Sequence, residues 1–159
     1  MPAITALIHT HDDGLRLGRA LETLRPCDEI IVVDHESQDA TLRVARDYGA
    51  RLIAAYDDAL PGDYLKLARN AWVLCLDPHE SLTEGLEASL FEWKSESGGR
   101  GAPALSVFIR EETADGWVKH PTPETRLVPQ HWSRWQGSLP AHERSAVLLE
   151  GALLSFLLP

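Results

Sequence analysis

Ala71-Trp72-Val73-Leu74-Cys75-Leu76-Asp77-Pro78-His79-Glu80 is an apolar run that breaks into an acidic knot. A continuous apolar run with β-branched and aromatic members reads as a strand buried on both faces. Pro78 has no N–H for a central ladder, so the chain must leave the sheet at Asp77. Asp77, His79 and Glu80 then occupy the loop beyond the strand's carboxyl end. Open α/β sheets bind ligands in that crevice. An Asp and a His two apart can hold a divalent cation, and a cation can hold a diphosphate. The same residues also fit a surface turn that meets only water, and this segment alone does not choose.

Upstream, three more apolar runs alternate with helical patterns. Ala3 to His9 reads as a first strand and ends in the turn cluster Thr10-His11-Asp12-Asp13-Gly14. Leu17, Ala20, Leu21 and Leu24 follow at helical spacing, and Pro26 closes that helix. Glu29 to Val33 is a second strand, ending at Asp34-His35-Glu36. Ser37 or Asp39 can cap the next helix, which carries Leu42, Val44, Ala45 and Tyr48 and stops at Gly49. Arg51 to Ala55 is a third strand. Helical crossovers of this length make parallel, right-handed units, with helices on both faces of the sheet. Between the third and fourth strands, Tyr64 to Asn70 has room for two helical turns at most, with Lys66 and Arg69 as cations for a phosphate or for solvent.

Downstream, Ser81 or Thr83 caps a helix bearing Leu86, Leu90 and Trp93, and Ser95 to Gly101 reads as a flexible turn. Ala104 to Ile109 is a fifth strand, and Trp117 to His120 and Thr125 to Val128 are short β candidates. Ala146 to Pro159 holds one charge, Glu150, and reads as a core or interface segment, with sealing of a homodimer favoured over closing the chain's own core.

The 159 residues suit one domain, with a donor half over 1–95 and a shorter acceptor-side half over 102–159. Lys and Arg number 15 against 24 Asp and Glu, a net charge of −9, which argues against bulk binding to nucleic acid or anionic lipid. Cys27 and Cys75 lack CxxC spacing and read as free thiols. No leader pattern and no membrane-length apolar run is evident, so a cytoplasmic location, with at most peripheral contact at a membrane's inner face, is expected.

Three strands thus end in acidic, histidine-bearing loops: His11-Asp12-Asp13, Asp34-His35-Glu36, and Asp77 with His79 and Glu80. The strand order reverses where the fourth strand joins the first, so one switch-point crevice can collect all three loops. At this point the sequence resembles the inverting glycosyltransferases of family 2, and within them the lipopolysaccharide-core branch. Ile8-His9-Thr10-His11-Asp12 stands where that family has I-P-T-Y-N. Val32-Val33-Asp34-His35-Glu36-Ser37-Gln38-Asp39-Ala40-Thr41 stands for V-V-D-S-G-S-T-D-x-T. Trp72 to Glu80 stands for W-V-L-x-L-D-A-D-E, and Arg126-Leu127 with His142-Glu143 matches an R-L and H-E pair.

The resemblance implies a GT-A fold, an α/β sandwich with a mostly parallel central sheet. It implies a nucleotide-diphosphate-sugar donor, a carbohydrate or lipid-linked acceptor hydroxyl, and cell-envelope or lipopolysaccharide synthesis. Thr10, His11 and Asp34 would hold the nucleoside, with Lys66 and Arg69 as phosphate contacts. Asp77 would contact the ribose, and Asp77 with His79 would hold Mn²⁺ or Mg²⁺. Glu143 would be the catalytic base, its alternative being a carboxylate paired with Arg144 or Arg126. Departures from the pattern matter. His79 replaces an aspartate, and imidazole suits Mn²⁺ or Zn²⁺ better than Mg²⁺. Two other readings stay open: a nucleotide-sugar-binding or scaffold relative that has lost transfer, and a metal-dependent hydrolase using His11, His35 and His79.

Overall fold

In the computed structural model, which describes residues 2–96 and 101–159, four parallel strands form one half of a large sheet. They are β1 (Ile4–Thr10), β2 (Glu29–Asp34), β3 (Arg51–Ala54) and β4 (Trp72–Leu76), in the order β3-β2-β1-β4. Alternation along each strand sends side chains to two separate cores. Ile4, Ala6, Ile8, Val32, Leu74 and Leu76 pack with the helices α1 (Leu17–Glu22), α2 (Thr41–Asp47) and α4 (Glu84–Glu96). Leu7, Ile31, Val33, Val73 and Cys75 pack against the single turn α3 (Pro61–Leu65) and Trp132 on the other face. Burial on both faces is why these strands are apolar throughout. Cys27 and Cys75 are unpaired, and burial pushes the Cys75 thiol up to about 12.

The helix ends follow their local chemistry. Gly49 sits at φ 75°, and its N–H donates to Arg46 O while that of Ala50 donates to Ala45 O, a left-handed stop for α2. Asp39 accepts the Thr41 N–H at the start of the same helix. Thr83, not Ser81, caps α4 by accepting the Leu86 N–H at 3.2 Å.

The sheet is mixed, which corrects the expectation of a mostly parallel one. Beyond α4, β6 (Leu105–Thr113), β7 (Gly116–Lys119) and β8 (Glu124–Pro129) are joined by short turns, and short turns impose antiparallel neighbours. β8 docks antiparallel on β4, with Leu74 opposite Leu127, so it lies in the middle of the sheet. β11 (Val147–Ser155) runs parallel to β6 and takes the three-residue β5 (Glu80–Leu82) on its other edge. A separate hairpin joins β9 (Trp135–Gln136) to β10 (Leu139–Pro140). The Ser95–Gly101 turn falls largely outside the described residues.

The apolar C-terminal segment closes the chain's own sheet. Both edges of β11 are taken, and Leu149, Ala152 and Leu153 are buried. At Gly151 the φ is 93°, and a Cβ would stand 2.3 Å from Leu86 N. Only glycine lets α4 approach β11 this closely. No helix among the described residues is long and apolar enough to cross a membrane.

Candidate functional site

β1 and β2 end in register, Thr10 beside Asp34. Thr10 Oγ1 donates to Asp34 Oδ1 at 2.7 Å. Ser37 adds its Oγ to the same oxygen at 2.6 Å and its N–H to Oδ2 at 2.9 Å. Asp34 is 8 % exposed. Burial alone would raise its pKa, but the bonds from Ser37 and Thr10 and the neighbouring His35 hold it below the usual carboxylate range. The carboxylate stays ionised, and about one of its four lone-pair sites is left for a ligand.

The first two loops are stitched to one another. The Asp12 N–H donates to Ser37 Oγ, and Asp12 Oδ1 accepts the N–H of Gln38. The Gly14 N–H donates to Asp39, and that of Asp13 to Thr41 Oγ1. The three non-glycine residues with positive φ among the described residues are Asp12 (52°), Glu36 (55°) and Asp58 (62°). They lie one each in the loops after β1, β2 and β3. Backbone strain of this kind concentrates where a fold holds a ligand.

A cavity of about 590 Å³ opens at this edge, lined among others by His9, His35, Glu36, Tyr56, Tyr64 and Ser138. His9 Nδ1 and His35 Nε2 lie 2.9 Å apart, so one ring N–H donates to the other ring nitrogen. His9 Nε2 is buried without a partner among the described residues. Burial, with His35 beside it, pushes His9 down to about 4, so the His9 ring is neutral near pH 7. Tyr64 meets His9 edge-on at 5.2 Å and Tyr56 leans on Tyr64 at 5.2 Å. His11 stands outside this wall and contacts His35 O. That bond and then Asp12 raise its pKa.

The turn after β4 lies next along the same edge. Ile8 pairs with Leu76, so one further step sets Asp77 level with His9. Asp77 Oδ1 accepts the His79 N–H at 2.9 Å and faces His79 Nδ1 at 2.6 Å. Glu80, expected in the loop, is instead the first residue of β5 and 4 % exposed. Its carboxylate grips Arg126 at 2.6 and 2.8 Å and accepts the Asp77 N–H at 2.8 Å. Arg126 also donates to Cys75 O and to Glu124. Neither Asp77 nor His79 lines the cavity of the first three loops.

Three expected residues sit apart from both. Lys66 pairs with Asp63 at 3.5 Å and lines a second hollow of about 630 Å³ with Gln130, Trp132 and Trp135. Arg69 meets Glu29 at 3.6 Å at the amino end of β2, the opposite edge of the sheet. A parallel strand beginning at Trp72 requires this, because residue 69 has already returned to the amino side. Glu143 pairs with Arg134, and its Oε2 accepts the N–H and Oγ of Ser145 at 3.0 and 2.6 Å. Those bonds, Ser145 first and then Arg134, hold its carboxyl down to about 2. The pairing with Arg144 or Arg126 considered from sequence is thus made with Arg134.

Sequence gives no site role to Tyr56 and Tyr64, and it offers His35 only as a loop residue or metal ligand, not as the hydrogen-bonding partner of His9. Ser37 reads from sequence as a helix cap and as part of the resembled motif, not as a hydrogen-bond partner of Asp34. Tyr56 was legible in principle, since it stands two residues beyond the end of a parallel strand.

Asp77 Oδ1 is engaged by His79 Nδ1, which turns His79 Nε2 away from that carboxylate. No group of three or more His, Cys, Asp or Glu among the described residues is arranged to hold a metal ion. Asp77 and His79 thus belong to no cluster of three or more such ligands, and the His11, His35 and His79 trio of the hydrolase reading does not assemble.

No protein-family model matches the chain. An uncharacterized glycosyltransferase of Rickettsia felis is 34% identical over 91 residues, 55% of this chain and 32% of that protein. The chain thus spans about a third of the length of that relative. Among solved structures, S. aureus TarS 1–349 superposes with a TM-score of 0.56 at 18% identity, covering 76% of this chain and 38% of that one. Glucosyl-3-phosphoglycerate synthase from Mycobacterium tuberculosis, in complex with Mn²⁺, UDP and glucosyl-3-phosphoglycerate, gives 0.55 at 17%, covering 69% and 44%. The chain has a mixed α/β fold like that of GT-A glycosyltransferases, and the relative and solved structures named here are glycosyltransferases.

Proposed function

We propose that this chain is the nucleotide-sugar-binding part of a glycosyltransferase that moves a sugar from a nucleoside-diphosphate donor to an acceptor hydroxyl. The observation that carries the reading is the ionised Asp34, bonded to Thr10 and Ser37, whose chain neighbour His35 lines a ring-walled cavity at the carboxyl edge of β1 to β3. Asp34 has a remaining lone pair for a base or ribose donor, and the Tyr56 ring offers a base a stacking face. The nucleoside would sit among Thr10, His11 and Asp34, with the diphosphate reaching along the edge toward Asp77. Backside attack by the acceptor would invert the anomeric carbon, as the family 2 resemblance implies. The acceptor class is a carbohydrate or lipid-linked hydroxyl of envelope synthesis.

The cavity rim carries Glu36, Asp57 and Asp58, which repel a diphosphate. A divalent cation arriving with the diphosphate would offset that repulsion, with Asp77 Oδ2 as its single protein ligand.

Thermal shift and calorimetry with UDP, GDP and their sugars, with and without Mn²⁺, test the reading. A ligand at about 100 times its Kd adds about 2.7 kcal/mol, or ~5–11 °C for a chain of this size. Tyr56 is half exposed, so Tyr56→Ala is expected to keep the fold while weakening the nucleotide about 5- to 150-fold, the range of one base stack. Absence of any nucleotide effect in wild type, with or without Mn²⁺, ends the proposal. Binding without turnover favours the non-catalytic relative.

A further inference from the structure

We propose that Glu124, not Glu143, is the general base that takes the acceptor hydroxyl's proton, and that the hollow it lines is where that hydroxyl enters. This rests on the donor reading above and adds the catalytic residue and the acceptor site to it.

A third hollow, of about 540 Å³, lies between the start of β8 and the β9–β10 hairpin. It is lined among others by His120, Glu124, Thr125, Gln136 and His142. Glu124 is built into its wall in a way that leaves one oxygen to act. Its Oε1 is anchored by Arg126 Nε at 3.2 Å and Nη2 at 2.8 Å. Its Oε2 takes no hydrogen bond among the described residues and stands 4.0 Å from His120 Nδ1. The same Arg126 holds Glu80, and Glu80 holds the Asp77 N–H. A continuous run of three contacts therefore fixes Glu124 relative to the turn assigned to the diphosphate.

Glu143 has the opposite character. Both of its oxygens are engaged, by Arg134 and by Ser145, and it is not among the residues lining the hollow. Its N–H donates to Thr125 Oγ1 at 2.9 Å, which sets it behind the wall. A carboxylate held down to about 2 is also a feeble proton acceptor. In the step proposed, the hydroxyl O–H bond breaks and its proton passes to Glu124 Oε2. The oxygen's electron pair forms the bond to the anomeric carbon. The bond from that carbon to the phosphate oxygen breaks, and the nucleoside diphosphate leaves with its electrons.

The acceptor is unidentified, so water serves in its place, with UDP-glucose and GDP-mannose as donors and nucleotide release as the readout. Glu124→Gln keeps an amide oxygen for Arg126. It is expected to bind UDP or GDP within about threefold of wild type and to release nucleotide about 10²–10⁴-fold more slowly, the usual weight of a general base. Sodium formate should restore part of the rate to Glu124→Ala, which a merely structural carboxylate would not allow. Glu143→Gln should stay within about fivefold of wild type. Release by Glu124→Gln at the wild-type rate overturns the assignment. So does a loss confined to Glu143→Gln or His142→Gln, or a wild type that binds nucleotide yet cleaves neither donor. Failure of wild type to bind any nucleotide instead condemns the donor reading.

Discussion

Removing Arg126 should unfold the centre of the edge that carries the site. Arg126 is 2 % exposed and donates five hydrogen bonds, two to Glu80, two to Glu124 and one to Cys75 O. Burial alone would lower the guanidinium's pKa, but Glu80 and Glu124 raise it above its ordinary value. Arg126→Met preserves much of the volume and strips Glu80 of its counter-charge. Breaking one side of a buried pair costs about 3–5 kcal/mol. At ~2–4 °C per kcal/mol for a chain of this length, Tm should fall by about 6–20 °C. Glu80→Leu alone should cost a similar amount, since it leaves a buried guanidinium and an unbonded Asp77 N–H. The double variant removes both charges together, so its loss should fall short of the sum of the singles by about 2 kcal/mol or more. Urea denaturation of wild type, both singles and the double gives that coupling directly. Additive losses within about 0.5 kcal/mol would show that the two side chains act independently, and the positioning role assigned to this pair would have to be abandoned.

Gly151→Ala combines a forbidden φ with a Cβ 2.3 Å from Leu86 N, and should cost about 3 kcal/mol or more, read as a lowered urea midpoint. Glu36 holds φ 55° where the resembled pattern has glycine, so Glu36→Gly should leave stability unchanged or raise it by up to about 1 kcal/mol. A loss above about 1 kcal/mol would show that the Glu36 side chain supports the loop. His9 is held near 4 in the fold, chiefly by burial, against 6.5 when free. The unfolded chain therefore binds a proton in that window and the folded chain does not, so stability falls as pH drops from about 6.5 to about 4 and loses nothing more to His9 below that. The gap is worth at most about 3 kcal/mol. His9→Phe should remove this limb of the stability–pH curve, whereas an unchanged limb would assign it to another group.

The first half of the fold was legible because each strand is buried on both faces and each crossover is a helix. Those two facts fix parallel pairing and place Asp34 and Asp77 at one edge. The second half was not, because short β segments such as Glu124–Pro129 carry no signal of which edge they will join. Nothing local to that segment announces that it fills the position beside β4. The site was legible in its strand ends and misjudged in its cations. Lys66 and Arg69 were chosen for nearness in sequence to β4, yet nearness before a parallel strand means the amino edge. Glu80 reads as loop because Pro78 breaks β4, and nothing local to it marks the return of the chain to the sheet two residues later, on β11.

The antiparallel intrusion of β8 also explains how residues about fifty apart in sequence come to share an edge. A parallel neighbour of β4 would bring its amino end to the far side of the sheet, away from Asp77. An antiparallel one begins where β4 ends, so the opening residues of β8, Glu124 to Arg126, arrive at the carboxyl edge. Arg126 is the position skipped where the β6–β8 register shifts, with Leu105 opposite Leu127 and Ser106 opposite Thr125. A bulge re-aims a side chain out of the normal alternation. Here it accompanies a guanidinium that reaches across the β4 end to Glu80. The mixed topology is therefore part of the site's construction: it delivers an arginine to fix the Asp77 turn and a carboxylate, one residue removed from Thr125, to the mouth of the adjoining hollow.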